Sequence, residues 1–170
     1  EVEAITVDIH LKDIVISVTS AYGPQESDPI EKKDSFWQYL SNEASKAKSY
    51  GKGFILQGDL NAWLGPKHIK GDFHGQNRNG KQFSLFLEQN SLVCVNSLPL
   101  TDGVVTRIRN CLGIIEQSTI DFYVVCERVL PFVKSMEIDN GKNHILTNYT
   151  SSNTEGKTVN SDHLPLNMTV

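Results

Sequence analysis

The sequence predicts an α+β fold or a layered α/β sandwich, formed by one domain that spans residues 1–170. Many short apolar runs alternate with polar residues, as in antiparallel strands, and segments between them carry apolar residues at helical spacing. The chain has 170 residues, and a domain holds roughly 100–200. Its hydrophobic content of 39% is that of a globular protein, and its net charge of −4 provides no general attraction for nucleic acid. No apolar run approaches the roughly 20 residues of a membrane-spanning helix, so we expect no membrane partner.

The chain opens with two predicted strands that form an antiparallel hairpin. Residues 5–11 alternate apolar and polar side chains, and a second alternating run begins at Ile14. The polar pair Lys12-Asp13 supplies the turn between them. Gly23-Pro24 ends the second strand, because proline cannot donate to a strand ladder.

A long helix is predicted next. Asp28-Pro29-Ile30-Glu31 predicts its start, with Asp28 as the capping residue and proline in the first turn. Gly51 is placed to end the helix. The apolar residues at helical spacing are Phe36, Leu40, Ala44 and Ala47, with Trp37 widening the stripe.

The apolar run 54–57 predicts a buried strand that ends in the segment Gly58-Asp59-Leu60-Asn61-Ala62. If the strand stays extended, Asp59 and Asn61 project from the same face. A long glycine-rich stretch follows, to about Asn79. Loops of this length are uncommon unless functional or disordered. The stretch is the best basic patch of the chain, with Lys67, His68, Lys70, His74 and Arg78.

The second half predicts mostly strands. Phe83, Phe86 and Leu87 predict a short helix before them. The predicted strands are 92–95, 104–108, 119–125, 136–138 and 164–170. The predicted turns are 101–103, 110–113 and 140–141, and residues 143–160 predict a polar loop.

The three cysteines, Cys94, Cys111 and Cys126, show no metal-binding spacing. Their odd number leaves at least one thiol unpaired in any intrachain scheme, so we expect a reducing, intracellular compartment, nuclear or cytoplasmic. Cys94 and Cys126 lie in apolar runs, which is typical of buried structural thiols rather than nucleophiles.

Three aspartates lie where apolar strands begin or end: Asp59, Asp121 and Asp162. An ionised carboxylate beside an apolar core is costly unless it is paired or binds a metal, so three such groups indicate a shared site. His163 follows Asp162 directly. An imidazole held by a carboxylate can transfer protons or stabilise negative charge, as phosphate-ester hydrolysis requires.

Each of these residues also has a structural interpretation. Asp59 and Asn61 could form only turn hydrogen bonds after a strand. Asp162-His163 could mark a junction between a loop and a strand. Asp121, with apolar neighbours on both sides, could be satisfied by a hydrogen bond to a backbone amide.

Five motifs in order resemble the endonuclease/exonuclease/phosphatase superfamily, the DNase I-like and AP-endonuclease-like enzymes. The resemblance spans nearly the whole chain and is strongest to the endonuclease domains of non-LTR, LINE-type retrotransposons. It implies a layered α/β/β/α sandwich of two mostly antiparallel sheets. The motifs are Tyr22-Gly23-Pro24, Gly58-Asp59-Leu60-Asn61-Ala62, Asn79-Gly80, Ser118-Thr119-Ile120-Asp121-Phe122 and Ser161-Asp162-His163.

The resemblance also implies roles for individual residues. His163 would bind the scissile phosphate, with Asp121 orienting its imidazole. Asp59 would position or deprotonate the attacking water, Asn61 would hold the phosphate or that water, and Tyr22 would support the phosphate or leaving group. The remaining implied roles are metal binding for Asp162 and contacts to nucleic acid or site for Ser118 and Asn79.

The implied reaction is metal-dependent nicking of DNA to leave a 3′-hydroxyl, with Mg²⁺ as the cation and Mn²⁺ as a substitute. The implied partners are DNA and a reverse transcriptase domain in the same polyprotein. Family members also carry an Asn and a metal-binding Glu on earlier strands, and nothing before Tyr22 matches these residues.

The chain therefore resembles the later two-thirds of the family domain, with the first strands missing. We expect an exposed sheet edge and apolar sheet face, and hence self-association. Two alternatives remain open at this point: a phosphatase or phosphodiesterase for inositol phosphates or other small phosphoesters, and an inactive fragment that binds nucleic acid.

Overall fold

The helices and strands follow from a computed structural model that describes residues 2–139, 149–150, 158–159 and 161–170, the two short segments by backbone alone. The helices are α1 (Ile30–Ser49) and α2 (Arg78–Gln89). The strands are β1 (Ala4–His10), β2 (Val15–Ala21), β3 (Gly53–Asp59), β4 (Leu92–Cys94), β5 (Thr101–Asp102), β6 (Arg107–Cys111), β7 (Ile114–Ser118), β8 (Asp121–Cys126), β9 (Ser135–Ile138), β10 (Tyr149–Thr150), β11 (Thr158–Val159) and β12 (Leu166–Thr169).

Five strands form the central sheet in the order β1-β2-β3-β8-β4. Strands β2 and β3 are parallel, since α1 connects them, and the other neighbours are antiparallel. The predicted hairpin of β1 and β2 is confirmed. Pairing of β3 with β8 sets Asp59 directly opposite Asp121, so the topology brings two predicted site residues to one end of the sheet.

Both helices pack on one face of the central sheet. The Trp37 ring of α1 stacks on Phe83 of α2 with 5.6 Å between ring centroids, and Phe83 meets Phe122 of β8 at 4.9 Å. These side chains are buried, and full burial of a large apolar side chain contributes roughly 1.5–3 kcal/mol. This core explains the helical spacing seen in the sequence. Neither helix in the described part of the chain is long and apolar enough to cross a membrane.

A second sheet, in the order β12-β9-β5, covers the opposite face of the central sheet. Met136 and Ile138 of β9 pack with Ile55 of β3 and Val125 of β8 in a second buried cluster. The described residues thus form three layers, helices on one side and two sheets behind them. The predicted α+β fold is confirmed.

The start of α1 differs from the prediction. Helix α1 begins at Ile30 behind Pro29, and no side chain caps it. Asp28 lies one position too early to be the cap. Its Oδ2 atom accepts hydrogen bonds from the Gln25 backbone N–H at 2.8 Å and from Lys32 Nζ at 3.2 Å, so it closes the preceding turn instead. Gly51, at φ +64°, follows the helix as predicted.

Residues 101–118 also differ from the prediction. Thr101–Asp102, predicted as a turn, forms strand β5 parallel to β9. The strand predicted at 104–108 begins at Arg107 and pairs with β7 in a hairpin that turns at Leu112 and Gly113. Apolar residues of this hairpin, such as Ile114, are exposed, and therefore no alternation marked it in the sequence.

The predicted polar loop 143–160 lies mostly outside the described residues, as does the turn predicted at Asn140-Gly141. Within that range, the described segments β10 and β11 pair antiparallel.

The three cysteines are free thiols. Cys94 is buried, as predicted, and burial raises the pKa of its thiol to about 12. Cys126 is half-buried and its Sγ atom accepts a hydrogen bond from the Phe54 backbone N–H at 3.2 Å. The surroundings of both thiols are therefore those of structural residues rather than of nucleophiles.

Strand β1 is an edge of the central sheet and carries an exposed apolar stripe. Ile5, Val7 and Ile9 are 64%, 50% and 45% exposed. Val7 pairs with Val18 of β2, which packs into the cluster between the two sheets, so the stripe extends that apolar face into solvent. The expected exposed edge and apolar face are present.

Candidate active site

Two aspartates lie side by side at the end of the central sheet. Asp59 ends β3 and Asp121 begins β8, and their side chains are 11% and 16% exposed. Gly58 precedes Asp59 with φ +138°, and a Cβ atom there would overlap the backbone oxygen of Ala21. Only glycine allows this close approach of β2 and β3, which holds Asp59 in place.

His163 joins the two aspartates from the end of the chain. Its Nδ1 atom lies 3.0 Å from both carboxylate oxygens of Asp121, and its Nε2 atom lies 3.9 Å from Oδ2 of Asp59. The next residue is fixed by a 2.7 Å hydrogen bond from the Leu164 N–H to the Thr106 carbonyl. The Asp121 carboxylate thus binds an imidazole, not a backbone amide, and the structural interpretation of this residue is set aside.

Asp162 binds a residue that the sequence did not single out. Arg107 donates from Nε to Oδ2 of Asp162 at 2.8 Å. The other carboxylate oxygen lies 3.8 Å from Nε2 of His163. Nε2 of His163 therefore faces carboxylates from two residues, Asp59 and Asp162.

Asn61 reaches the site by a different route from the one predicted. Strand β3 ends at Asp59, and Asn61 has a left-handed backbone with φ +47°, which asparagine tolerates. The Asn61 N–H donates to Oδ1 of Asp59 at 2.9 Å, and its Nδ2 atom donates to the Gly23 carbonyl at 2.8 Å. The turn hydrogen bond considered as an alternative is therefore made, and it places Asn61 beside the acids.

Burial and charge shift the pKa values of the cluster. Burial raises the pKa of Asp59 to about 6, and the negative charge of Asp121 adds to this effect against the Asn61 N–H and His163. The hydrogen bond to Asp121 raises the pKa of His163 above its ordinary value of 6.5, although burial opposes it. Burial acts to raise the pKa of Asp162, but Arg107 outweighs it and the pKa is lowered.

One group of side chains in the described part of the chain could bind a metal ion. Asp59, Asp121 and His163 each offer a donor atom, and these atoms lie within 4.8 Å of one another. Carboxylate oxygens suit Mg²⁺ and Mn²⁺. Both oxygens of Asp121 already face Nδ1 of His163, so Asp59 has the less occupied carboxylate of the group.

Tyr22 lies beside this group rather than in it. Its backbone N–H donates to the Glu3 carbonyl at 2.8 Å, and its ring, 44% exposed, lines a small hollow with Pro24 and Lys32. The next residue, Gly23, donates to the backbone carbonyl of Asp59 at 2.6 Å. The Tyr22 segment thus supports the site through its backbone.

The two predicted nucleic-acid contacts have different surroundings. Ser118 ends β7 and lines a groove beside the cluster. Asn79 is fully buried, and its Nδ2 atom donates to the carbonyls of Pro24 at 2.5 Å and Asn61 at 3.3 Å. Asn79 therefore holds the Asn61 segment from behind, and its full burial excludes direct contact with a ligand in this conformation.

Three further residues support the site and were missed. Thr106 Oγ1 accepts the backbone N–H of Asp121 at 3.1 Å, and Asn96 Nδ2 donates to the Asp121 carbonyl at 3.0 Å. Asn77 caps α2 by accepting the Gly80 N–H at 2.7 Å, and it also donates to the Asn61 carbonyl at 3.1 Å. Of these three residues, only Asn77 could have been found in the sequence, since it precedes a predicted helix and asparagine is a favoured helix cap.

A groove of about 500 Å³ lies next to the cluster. Asn61 and Arg107 line its inner end, and the β6–β7 hairpin forms one wall. The residues of the predicted basic patch have different surroundings in the structure. Lys67, His68 and Lys70 are exposed, whereas His74 turns into the groove and faces the buried carboxylate of Asp72.

Solved structures share this fold, and they include nucleases. The endonuclease domain of TRAS1, a telomere-specific non-LTR retrotransposon, matches with a TM-score of 0.66 and 22% identity over 99% of this chain. The 3′-5′ exonuclease NExo from Neisseria meningitidis matches with a TM-score of 0.65 and 14% identity over 97% of this chain. An endonuclease/exonuclease/phosphatase family protein from Leptotrichia buccalis matches with a TM-score of 0.56 and 15% identity over 98% of this chain.

The chain spans 63%, 69% and 53% of these three structures, respectively. No protein-family model and no curated protein sequence matches it. The fold is therefore that of the endonuclease/exonuclease/phosphatase structures, as the motifs predicted.

Proposed function

We propose that the chain is part of an endonuclease domain of the non-LTR retrotransposon kind and hydrolyses a phosphodiester bond of DNA. One observation carries the proposal: Nδ1 of His163 lies 3.0 Å from both oxygens of Asp121, while its other nitrogen, Nε2, faces Asp59 at 3.9 Å. The arrangement sets an imidazole beside a carboxylate of raised pKa at the open end of a sheet. The shared fold and the order of the five motifs support it.

In this proposal, Asp59 accepts a proton from the attacking water. A carboxylate with a pKa of about 6 is ionised at pH 7 and still basic enough for this task. The water oxygen forms a new bond to phosphorus and the bond from phosphorus to the 3′-oxygen breaks. The leaving oxygen takes up a proton from solvent to become a 3′-hydroxyl, and the phosphate stays on the 5′ end.

His163 stabilises the negative charge that develops on the phosphate. The hydrogen bond to Asp121 raises the pKa of His163, which favours the charged imidazole, and it fixes the orientation of the ring. We assign Asn61 to the phosphate or the water, Tyr22 to the phosphate or the leaving group, and Ser118 to contact with the nucleic-acid backbone or the site. Asn79 acts by holding Asn61.

We propose that a divalent cation, Mg²⁺ or alternatively Mn²⁺, completes the site. Three carboxylates face one imidazolium and one guanidinium, so the cluster keeps an excess negative charge that would repel a phosphate. Asp162 would hold the cation directly or through water, and the nearby Asp59 carboxylate would contribute through a bound water. When bound, the cation would neutralise phosphate charge and polarise the phosphorus–oxygen bonds.

Thermal unfolding tests the cation site without any activity. Mg²⁺ or Mn²⁺ is expected to raise the Tm of the wild-type chain, because a ligand that binds the folded state stabilises it. Asp59→Asn should remove most of this shift, and Tyr50→Ala, at an exposed position outside the site, should retain it. An equal shift in Asp59→Asn would place the cation elsewhere.

Nicking of supercoiled plasmid tests the activity. The wild-type chain with Mg²⁺ should produce nicked circles that EDTA abolishes, and Asp59→Ala and His163→Ala should each lose this activity. Tyr50→Ala serves as the matched control. Equal nicking by both site variants would indicate a contaminating nuclease. No nicking by the wild type would favour the inactive fragment, or a small-phosphoester phosphatase if small phosphoesters are hydrolysed.

We further propose an intracellular polyprotein with a reverse transcriptase domain as the setting of this domain, and self-association of the isolated chain. The exposed stripe of Ile5, Val7 and Ile9 on an edge strand supports self-association. Light scattering should show a mass that rises with concentration, and Val7→Lys should lower it. A stable monomer over a wide concentration range would contradict this.

A further inference from the structure

Three rings form a row on the loop between β3 and α2. The Trp63 and His74 ring centroids are 4.7 Å apart with an interplanar angle of 31°, and the Phe73 and His74 centroids are 4.4 Å apart at 33°. Trp63 is 37% exposed and Phe73 is 64% exposed. Apolar rings are rarely left this exposed in a row on a soluble domain, so the row has a surface available for a ligand.

Hydrogen bonds anchor the loop at both ends of the row. The buried Asp72 carboxylate accepts the Gly65 N–H at 3.1 Å and the His74 N–H at 3.0 Å, and it lies 3.3 Å from Nδ1 of His74. The Trp63 N–H donates to Oδ1 of Asn77 at 2.9 Å. The row is therefore pre-organised, which lowers the entropy cost of binding.

The row lies in the groove that leads to the catalytic cluster. Trp63, Phe73 and His74 line this groove together with Asn61 and Arg107. Asn61 hydrogen-bonds Asp59, and Arg107 binds Asp162. A strand whose phosphate reached His163 would thus pass the rings within the same groove.

The charges of the groove favour a neutral, flat group over a second phosphate. Arg107 is already paired with Asp162. Among the described residues, the other charged side chains that line the groove are Arg109, Glu26 and Glu116, so acids there outnumber the cations that Asp162 does not pair. A nucleobase fits this lining, because its faces stack on aromatic rings and its edges carry hydrogen-bond donors and acceptors.

We propose that the row of Trp63, His74 and Phe73 stacks an unpaired nucleobase of the DNA strand being cleaved. A base within a duplex is covered on both faces by its neighbours and must leave the stack to reach the rings. The chain therefore selects sites where a nucleotide near the scissile phosphate is unpaired. This inference rests on the proposed function and names the form of its substrate.

Fluorescence of 2-aminopurine tests the inference. Two DNA duplexes differ only in whether a 2-aminopurine nucleotide is paired with thymine or left unpaired as a bulge. Binding is measured without added cation in an Asp59→Ala chain, because this substitution should prevent cleavage and also removes one of the negative charges that the cation would neutralise. We expect the unpaired probe to bind more tightly than the paired one and its fluorescence to be quenched by ring stacking.

Substitutions of the exposed Phe73 test whether the rings cause the tighter binding of the unpaired probe. Phe73→Leu removes the ring and should weaken binding of the unpaired probe about 10- to 100-fold, with little change for the paired probe. Phe73→Tyr keeps a ring and should retain the binding. Phe132→Leu removes a ring that is 61% exposed outside the groove and serves as the matched control.

Equal affinity for both probes, no binding of either, or an unaltered affinity in Phe73→Leu would overturn the inference. Cleavage assays with the wild-type chain separate it from the proposed hydrolysis. Cleavage of both duplexes at equal rates, unchanged by Phe73→Leu, would reject the base site and retain the nuclease. Stacking that depends on Phe73 without any cleavage would retain the base site and reject the hydrolysis.

Discussion

Two aspartate–histidine pairs lie within one surface of this protein, and they differ in what surrounds them. Asp121 and His163 are 42 residues apart and meet at the end of the central sheet, where Nε2 of the histidine faces further carboxylates. Asp72 and His74 are two residues apart in one loop. The Asp72 carboxylate also accepts two backbone N–H groups, and the His74 ring lies between aromatic rings.

The comparison shows that the surroundings of such a pair decide its chemistry. Additional carboxylates around His163 favour its charged form and leave a nitrogen directed at Asp59, as catalysis requires. The Asp72 carboxylate accepts backbone N–H groups and so holds the loop in place. The ring of His74 forms part of the groove surface. We therefore propose that the first pair acts in the reaction and that the second shapes the groove.

The largest expected difference between the pairs concerns kcat. His163→Ala should lower kcat for DNA nicking by about 10²–10³-fold, the usual cost of removing one group that stabilises transition-state charge. His74→Ala should act mainly on KM, since it removes part of a binding surface. Nicking kinetics under substrate saturation check this. Similar losses of kcat in both variants would contradict the division of roles.

Stability should show the opposite order. Asp72→Ala leaves two backbone N–H groups without their buried acceptor and should cost about 2–4 kcal/mol of unfolding free energy. Asp121→Ala should cost less, because it removes a like charge beside Asp59 as well as a hydrogen bond. Urea unfolding measures both values. A larger loss for Asp121→Ala than for Asp72→Ala would reverse the comparison.

Much of the fold and part of the site could be predicted from the sequence. Asp59 and Asp121 stood out because carboxylates beside apolar runs require partners, and the register of β3 and β8 supplies that proximity. Arg107 could not be predicted as a site residue, since the hairpin that it begins is exposed and has no apolar alternation. Thr106 precedes that hairpin and is buried, and its contact to Asp121 depends on the tertiary fold. The charged residues of the glycine-rich loop predicted only a basic patch.

The pair of Asp72 and His74 was hidden for a related reason. Burial of Asp72 depends on the tertiary path of a loop without regular structure, and no periodicity reports that path. The backbone conformation of Asn61 could not be predicted for the same reason. Its left-handed backbone replaced the extended one predicted from the strand before it.

A smaller effect concerns the cost to the fold of the Asp59 carboxylate, the proposed base. The pKa of Asp59 is raised from 3.8 to about 6, so folding disfavours its charged form. This cost is complete above pH 6, shrinks as the pH falls towards 3.8 and is absent below it. In metal-free buffer at pH 8, Asp59→Asn should therefore stabilise the fold by about 1–2 kcal/mol after allowance for solvent screening.

Urea unfolding of Asp59→Asn and the wild type across pH 4–8 checks the sign. The gain should fade as the pH approaches 4, and Asp72→Asn should show no such gain at pH 8, because the Asp72 carboxylate accepts two N–H groups. A gain in Asp59→Asn that grows towards pH 4 would contradict the assignment of Asp59 as a carboxylate of raised pKa.

The most direct measurement of the central claim is an NMR titration of the His163 imidazole in the metal-free chain. If Asp121 holds His163 protonated towards Asp59, the pKa of His163 lies above 6.5 in the wild type and falls in Asp121→Asn. A pKa at or below 6.5 in the wild type, unchanged by Asp121→Asn, would contradict the proposed active site.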